Sequence, residues 1–308
     1  MRTFTVGKND CGRRLDQYLK KLMPAITNGQ LYQSLRKKRV KINGKRVTDG
    51  SERLCEGDCL ELYFNDEYFE EKPLPFWTKM TPHLSIIYED AHIIIMDKPP
   101  GLPSQSDGET PSLESHMRAH LYQSGAYRPE TEAAFVPSLC HRIDRNTAGL
   151  VIGAKDAESL RIMNQKIRDR EVEKFYLCLT EGTPQPPSGE IRGYLHKDET
   201  MRKMVFSERP VPGSCACHTV YRVLRPGAQA LVEAKLLTGR THQLRAGFAH
   251  LGHPLIGDVK YGAKKDGKRQ FQHLLAYRLV FRFSTDSGCL SYLNQKEFVS
   301  DRSLLGIK

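Results

Sequence analysis

The sequence has no long hydrophobic run. Apolar stretches such as residues 93–96 fall far short of the ~20 residues that a membrane-spanning helix requires. Residues 1–24 carry several lysines and arginines but no continuous apolar segment, so no secretory signal is expected. These absences predict a cytoplasmic protein with no membrane-embedded part.

Signatures of several enzyme classes are also missing. The chain has no G-x-G-x-x-G dinucleotide fingerprint, no Walker loop for nucleotide phosphates and no G-x-S-x-G nucleophile turn. Nucleotide hydrolysis, dinucleotide redox chemistry and α/β-hydrolase chemistry therefore have no support, and we expect no cofactor.

Cysteine spacing argues against disulfides and against structural zinc. The eight cysteines are Cys11, Cys55, Cys59, Cys140, Cys178, Cys215, Cys217 and Cys289. A chain of 308 residues without an export signal is not expected to depend on disulfides. Cys55 and Cys59 have no matching second pair, and Cys215, Cys217 and His218 lie in a predicted strand. We predict free thiols and no metal site.

Positive charge is in excess and unevenly distributed. The formal net charge is +11, and residues 1–64 alone hold 14 lysine or arginine residues against 7 acidic ones. A basic surface concentrates polyanions and stabilises phosphate contacts by counterion release. Nucleic-acid binding is one interpretation of the excess, and an ordinary solvated surface is the other.

The hydrophobic pattern predicts two domains joined by a linker. In residues 1–64, helically spaced leucines predict a helix that Pro24 ends, Asn28 is a predicted cap for a second helix, and Asn-Gly at 43–44 predicts a hairpin. Residues 65–82 contain three prolines and the only tryptophan, which is typical of a linker. In residues 83–308 the pattern predicts strands at 84–88, 93–96, 150–154, 175–179, 219–224 and 231–237, a helix capped by Asp156 and a helix over 241–251. This order has no regular βαβ rhythm and predicts an α+β domain with a mixed sheet.

One polar segment, residues 141–149, lies in the turn before a predicted buried strand. It combines His141, Arg142, Asp144 and Arg145. Catalytic side chains are often carried on such turns. Asp144 is therefore a candidate catalytic carboxylate, although a helix cap or a structural salt bridge would also explain it.

A second polar segment, residues 238–245, runs from a predicted strand into a predicted helix. Its hydrogen-bond donors and positive charges at a helix N-terminus suit an anion or a carboxylate. Nearby, His242, His250 and His253 match no zinc spacing and have no carboxylate cluster beside them. We interpret these three as structural histidines.

Four blocks of this sequence resemble, in order and spacing, the RluA-type pseudouridine synthases. They are Ile87-Tyr88-Glu89-Asp90 through Lys98-Pro99-Pro100-Gly101-Leu102-Pro103; His141-Arg142-Ile143-Asp144-Arg145-Asn146-Thr147-Ala148-Gly149-Leu150; Glu173-Lys174-Phe175-Tyr176-Leu177; and Gly239-Arg240-Thr241-His242-Gln243-Leu244-Arg245, continued by 252–254 and 257–258. The resemblance covers residues 84–283. Separately, residues 1–64 resemble the alpha-L RNA-binding domain of ribosomal proteins and RNA-modifying enzymes, through 14–16, 36–44 and 57–58.

The resemblance implies a pseudouridine synthase fold over residues 83–308, with a mixed, largely antiparallel central sheet and flanking helices. It implies isomerisation of specific uridines to pseudouridine in RNA, with large-subunit ribosomal RNA as the expected substrate. A monomer without an obligate protein partner is expected.

Residue roles follow from the same resemblance. Asp144 is similar to the catalytic aspartate, Arg245 to its ion-pair partner, and Tyr176 to the ring that stacks on the uracil and relays a proton. A carboxylate can attack or stabilise an anomeric carbon of oxocarbenium character without a cofactor. Arg142 resembles the residue that fills the gap left by the extruded uridine. The other predicted substrate-binding residues are His141, Arg145, Arg240 and Leu274. The predicted RNA-binding residues of the N-terminal domain are Arg14, Arg36, Lys37, Lys38, Arg39, Lys41 and Lys45.

The sequence departs from the family pattern near residue 275. Leu275 stands where the family usually has a histidine between Leu274 and Ala276. Because that histidine does not carry the chemistry, activity is still expected, but the motifs do not assign a subgroup or a target uridine. Transfer RNA as the substrate and a non-catalytic RNA-binding protein on the same fold stay open. A metal-dependent nuclease would need a carboxylate cluster that the sequence lacks.

Overall fold

The computed structural model describes residues 1–69, 74–108, 110–129, 135–265 and 271–305. Residues 70–73 of the predicted linker lie outside the described residues. No helix in the described ranges is long and apolar enough to cross a membrane. The chain divides into two compact units. One comprises Met1–Thr81, Arg118–Pro137 and Lys155–Glu158, and the other comprises Pro82–Met117, Ser138–Ala154 and Ser159–Lys308.

The N-terminal part of the first unit packs two helices against a small antiparallel sheet. Its elements are β1 (Arg2–Thr5), α1 (Leu15–Leu22), α2 (Asn28–Arg36), β2 (Val40–Ile42), β3 (Lys45–Val47) and β4 (Cys59–Leu62). The strand order is β1-β4-β2-β3. Leucines spaced along both helices, such as Leu15, Leu19 and Leu31, are fully buried in one core with Leu60 of β4. The predicted pair of helices followed by a hairpin is confirmed, and β1 was not predicted.

Turn chemistry explains the boundaries of these elements, with one correction. The cap of α2 is Thr27, and the prediction of Asn28 was wrong. Thr27 Oγ1 accepts from the Gln30 amide at 3.3 Å, and Gln30 Oε1 accepts from the Thr27 amide at 2.9 Å. This reciprocal pair is a capping box, which Asn28 could not form because no Glu or Gln stands three residues beyond it. In the hairpin, Asn43 and Gly44 both adopt positive φ, as a two-residue turn requires.

The described part of the predicted linker is packed. Asp66–Phe69 and Phe76–Lys79 form 3-10 helices. Phe69 stacks on Phe4 with ring centroids 5.9 Å apart, and Trp77 is buried beside Tyr122 and Tyr127. Aromatic burial therefore holds this segment, and the predicted boundaries at residues 64 and 82 stay predictions.

After residue 82 the chain forms β5 (Ile86–Glu89), β6 (Ile93–Lys98), α3 (Leu113–Gln123), β7 (Ser138–Leu139), β8 (Ala148–Ala154), α4 (Ala157–Arg168), β9 (Val172–Glu181), β10 (Ser188–Asp198), β11 (Lys203–Ser207), β12 (Cys215–Arg225), β13 (Gln229–Leu236), α5 (Gln243–His250), β14 (Leu274–Phe281) and β15 (Glu297–Val299). Within the described ranges the strands form one sheet in the order β11-β10-β12-β13-β9-β14-β8-β6-β5, with β15 on β14 and β7 on β8. Of the described pairings in this sheet, only that of β14 with β8 is parallel. The predicted α+β class with a mixed, largely antiparallel sheet is confirmed.

The parallel pairing of β8 with β14 depends on Gly149. Its φ is +111°, and a Cβ there would lie 2.3 Å from the Ala276 carbonyl oxygen. Only glycine permits this approach of the two backbones. This pairing places the turn before β8 beside the start of β14 and the middle of β9, where the polar segments of the sequence meet.

Candidate active site

A cleft of about 800 Å³ opens in the second unit. Its walls come from the turn before β8, the first half of β9, the end of β13, the start of α5 and the start of β14. All eight predicted catalytic and substrate-binding residues line it: Asp144, Tyr176, Arg245, Arg142, His141, Arg145, Arg240 and Leu274. The tertiary structure thus collects side chains that are more than a hundred positions apart in sequence.

Asp144 is carried on a turn that is anchored on both sides. The preceding residue, Ile143, is buried, and its amide and carbonyl both bond to the Ser104 hydroxyl, at 3.2 and 2.7 Å. On the other side, the Thr147 amide donates to the Asp144 carbonyl at 3.0 Å. The Asp144 carboxylate itself keeps 27% of its side-chain surface exposed in the cleft. The backbone is therefore held while the carboxylate is open to a ligand.

Lys98, for which no role was predicted, supports the same turn. Its fully buried ammonium donates to the carbonyls of Pro99, Leu102 and Arg145 at 2.9, 2.7 and 2.8 Å. Burial lowers the pKa of Lys98 to about 7, and the charge of Asp144 acts in the opposite direction. Three donated bonds use every N–H of a lysine ammonium. Lys98 therefore connects the turn at 99–102 to the turn that carries Asp144.

Arg245 lies between two carboxylates. Its guanidinium donates to Asp258 through Nε at 2.6 Å and through Nη2 at 2.8 Å, while Nη1 lies 3.4 Å from Asp144 Oδ2. The predicted contact with Asp144 is present, but the tight, bidentate partner is Asp258, which is 2% exposed and had no predicted role. Burial lowers the pKa of Arg245, but the hydrogen bonds that Arg245 donates to Asp258 and the charge of that carboxylate outweigh burial, so the pKa is raised.

His242 and Tyr261 form a second support beside Asp144. His242 Nε2 lies 3.7 Å from Asp144 Oδ2, and its Nδ1 lies 2.8 Å from the Tyr261 hydroxyl. The Arg245 guanidinium sits over the Tyr261 ring, 4.9 Å from its centroid. The interpretation of His242 as a purely structural histidine did not foresee this position in the cleft wall. The predicted helix over 241–251 begins at Gln243, so His242 precedes it as the N-cap residue.

The other two histidines of this region have separate partners. His253 Nδ1 lies 2.9 Å from the Glu181 carbonyl, and the His250 ring packs 4.4 Å from the Phe206 ring. Neither lines the cleft. Within the described ranges, no three histidine, cysteine, aspartate or glutamate side chains are grouped so that they could hold a metal ion.

Tyr176 and Leu274 form the apolar side of the cleft. Tyr176 on β9 is 7% exposed and pairs in register with Ala276 of β14 and Ala234 of β13. Burial, and then the charge of Asp144, raises the pKa of the Tyr176 phenol, so it stays protonated. The buried Tyr176 ring therefore gives the cleft an apolar surface in the same wall as the half-buried Asp144 carboxylate.

His141 has a structural contact in this cleft. Its Nε2 accepts from the Ile152 amide of β8 at 3.3 Å. Burial lowers the pKa of His141 well below its usual range, and the nearby Lys174 acts in the same direction. The ring is therefore neutral and fastens the Asp144 turn to β8.

The cleft wall is strongly basic. Eight lysine or arginine residues line it, against two acidic ones, Asp144 and Glu173. Arg142, Arg145 and Arg240 are exposed, as expected of residues that meet a substrate. No role was predicted for the other exposed or half-buried cations of the wall, which are Arg168, Arg170, Lys174 and Lys235. Their sequence signal was their position immediately before, within or opposite the block at 173–177.

The predicted RNA-binding residues lie in the first unit and differ in their contacts. Arg14 donates to Asp16 at 2.7 and 3.2 Å, and Lys41 to Glu61 at 3.0 Å, so both are half-buried in ion pairs. The other five are exposed: Arg36, Lys37, Lys38, Arg39 and Lys45. Arg46, which was not predicted, is exposed beside them and donates to the Lys38 carbonyl at 2.9 Å.

Comparison with known proteins gives consistent matches. The RNA pseudouridylate synthase family matches residues 92–250, and the S4 domain family matches residues 13–59. An uncharacterized RNA pseudouridine synthase of Mycoplasma capricolum is 28% identical over 98% of each chain. Ribosomal large subunit pseudouridine synthase C of Rickettsia bellii is 31% identical over 82% of this chain and 83% of its own. The structure of human RNA pseudouridylate synthase domain containing 4 shares the fold, with a TM-score of 0.55 and 24% identity over 70% of this chain and 88% of that chain.

Proposed function

The chain belongs to the RNA pseudouridylate synthase family, and on that premise we propose that it isomerises uridines of large-subunit ribosomal RNA with Asp144 as the catalytic carboxylate. The observation that carries the proposal is the position of Asp144. Its carboxylate is open to a cleft of about 800 Å³, with the Arg245 guanidinium at 3.4 Å and the buried Tyr176 in the same wall.

The reaction needs only what this cleft offers. The N1–C1′ bond of uridine breaks, a C5–C1′ bond forms, C5 loses its proton and N1 gains one. A carboxylate can add to C1′ or stabilise positive charge there, as in glycoside hydrolysis. Arg245, kept charged by Asp258, lies 3.4 Å from the Asp144 carboxylate and is suited to orienting it. Tyr176, as a protonated phenol beside the base, is suited to stacking and to proton transfer.

A uridine in structured RNA must leave its stack to reach Asp144. Enzymes that act on a base extrude the nucleotide into a pocket and spend a few kcal/mol in doing so. Arg142, exposed and two residues before Asp144, is suited to occupying the vacated position. The exposed Arg145 and Arg240, with the further cations of the wall, are suited to the flanking phosphates.

Ribosomal RNA is proposed as the substrate for two reasons. The relatives from Rickettsia bellii and Vibrio cholerae are named as large-subunit enzymes, with 31% and 30% identity. The S4 domain adds a second RNA-binding surface that suits a large structured RNA. Monomeric state, independence from a protein partner and cytoplasmic location stay predictions.

The test is genetic and chemical. The gene is deleted, pseudouridines are mapped across cellular RNA by chemical labelling, and the strain is complemented with wild type, Asp144→Asn or the surface control Asp169→Asn. We expect at least one large-subunit site to vanish and to return with wild type and Asp169→Asn only. Loss of a transfer RNA site alone would overturn the ribosomal part, and full rescue by Asp144→Asn would overturn the role of the carboxylate.

A further inference from the structure

One turn of the chain supports both groups that face Asp144. Residues 258–261 begin with Asp258, which holds Arg245, and end with Tyr261, which contacts His242. The Tyr261 amide donates to the Asp258 carbonyl at 2.9 Å, so the two supporting residues are fixed relative to each other. Arg245 is the expected partner of Asp144 in this family, whereas neither the sequence nor the relatives assign a task to His242.

Hydrogen bonding selects one tautomer of His242. The Tyr261 hydroxyl oxygen accepts from the Met204 amide at 3.0 Å, which leaves its own proton to be donated. The acceptor within reach is His242 Nδ1, at 2.8 Å. A neutral imidazole that accepts at Nδ1 carries its proton on Nε2. That N–H is on the nitrogen that lies 3.7 Å from Asp144 Oδ2.

The backbone holds His242 in this place. His242 adopts left-handed dihedrals, φ 53° and ψ 22°, which are uncommon for a residue other than glycine. The Gln243 side chain fixes the turn, because its Oε1 accepts from Thr238 Oγ1 at 2.8 Å and from the Arg240 amide at 3.0 Å. A strained residue kept in place by its neighbours is common at functional sites.

We propose that His242 is a positioning residue: through Nε2–H it donates to Asp144 Oδ2 and, with Arg245, sets the orientation of the carboxylate toward the ribose. The inference rests on the proposed function. Catalytic hydrogen bonds are often long in unliganded enzymes and shorten when the substrate binds, so a small movement completes the 3.7 Å contact. Tyr261 acts through His242, and its ring also supports Arg245.

Burial is the main reason that His242 stays neutral. Burial lowers the pKa of His242, and Arg245 and Lys260 act in the same direction, whereas Asp144 and Asp258 oppose them. Protonation of Nδ1 would remove the acceptor that the Tyr261 hydroxyl uses. Neutral His242 is therefore the form that the surrounding contacts favour.

The tautomer can be measured without turnover. Nitrogen-15 spectra of the full-length protein labelled at histidine report which imidazole nitrogen carries the proton, and His242→Gln assigns the signal. We expect Nε2–H at neutral pH in wild type and loss of that preference in Tyr261→Phe. An Nδ1–H tautomer or an imidazolium in wild type would overturn the inference.

Kinetics then test the contact with Asp144. Glutamine places an amide nitrogen near the position of Nε2, whereas asparagine tolerates left-handed dihedrals but ends about where Nδ1 lies. With large-subunit ribosomal RNA labelled with tritium at uracil C5, we expect His242→Asn to lower kcat by about 10- to 100-fold with little change in KM. His242→Gln should stay within about 3-fold of wild type, since it restores the donor. The surface variant His250→Gln is the control.

Three results would contradict the role of His242. They are equal rates for His242→Asn and His242→Gln, a change in KM alone, or a lowered melting temperature that accounts for the loss. Asp144→Asn is measured alongside. Full activity in that variant overturns the proposed function, whereas an inactive Asp144→Asn beside a fully active His242→Asn overturns only the inference about His242.

Discussion

The two basic regions of this protein use positive charge in different ways. In the first unit, Arg36 at the end of α2 and Lys37 and Arg39 just after it are exposed. In the cleft of the second unit, Arg245 is 8% exposed and donates two hydrogen bonds to Asp258. A charge that attracts a polyanion needs only to be exposed to solvent. A charge that orients a reacting carboxylate must itself be held in a fixed orientation by a second buried group.

The comparison predicts unequal consequences of mutation. Loss of a buried, oriented charge should reduce the rate of the chemical step. Loss of a solvent-exposed charge should weaken RNA binding in a salt-dependent way.

Asp144→Asn should abolish most of the activity while leaving RNA binding intact. The substitution keeps the shape of the side chain and removes its charge, so we expect kcat to fall by at least about 1,000-fold. Tritium release from uracil C5 measures the rate, and filter binding measures affinity. Asp169→Asn, outside the cleft, should match wild type in both. Comparable losses of affinity and rate would show that Asp144 is not specific to the chemical step.

Asp258→Asn should affect both catalysis and stability. It leaves the Arg245 charge buried with its tight partner gone, which typically costs about 3 kcal/mol in the free energy of unfolding. Because Arg245 can then rotate away from Asp144, we expect kcat to fall by about 100-fold as well. Denaturant unfolding and tritium release provide the two measurements. A stable variant with normal kcat would contradict the proposed difference between buried, oriented charges and solvent-exposed charges.

Tyr176→Phe should separate stacking from proton transfer. The ring and its burial are kept and only the hydroxyl is lost, so we expect kcat to fall by about 100-fold while KM stays nearly constant. Burial raises the pKa of Tyr176, so the wild-type phenol should show no ionisation in ultraviolet absorbance below pH 9. A phenolate signal near neutral pH would contradict the role of Tyr176 as a proton donor.

Neutralising the basic run of the first unit should change affinity only. The combined substitutions are Arg36→Gln, Lys37→Gln, Lys38→Asn and Arg39→Gln, with asparagine chosen because Lys38 has a φ of 57°. Each lost phosphate contact should lower the slope of log affinity against log salt by about 0.7–0.9. At saturating RNA, kcat should equal that of wild type. An unchanged salt slope would argue against RNA binding by this surface.

Chelation should have the smallest effect. Prolonged treatment with a chelator is expected to leave the initial rate of tritium release unchanged on RNA refolded beforehand, because the proposed chemistry uses carboxylate, guanidinium and phenol groups alone. Strong inhibition that added divalent metal reverses would contradict that mechanism.

Much of the fold was predictable where local patterns were strong. The spacing of leucines located α1, and the Asn-Gly pair located the hairpin of β2 and β3, since both signals act over a few residues. Strands β10, β11 and β14 were not predicted, and the mixed exposure of β10 and β11 gives little alternation in their sequences. The cap at Thr27 was missed because Asn28 is an equally good candidate when the role of Gln30 is ignored.

The sequence by itself determined the α+β class, the family and the eight predicted residues that line the cleft, because these depend on motifs and periodicities along the chain. Only the tertiary structure decided which acid holds Arg245, which nitrogen of His242 faces Asp144, and which cations remain exposed. Those outcomes depend on distances of a few ångströms between residues more than ten, and in places a hundred, positions apart. Chain folding sets such distances, and no local pattern encodes them.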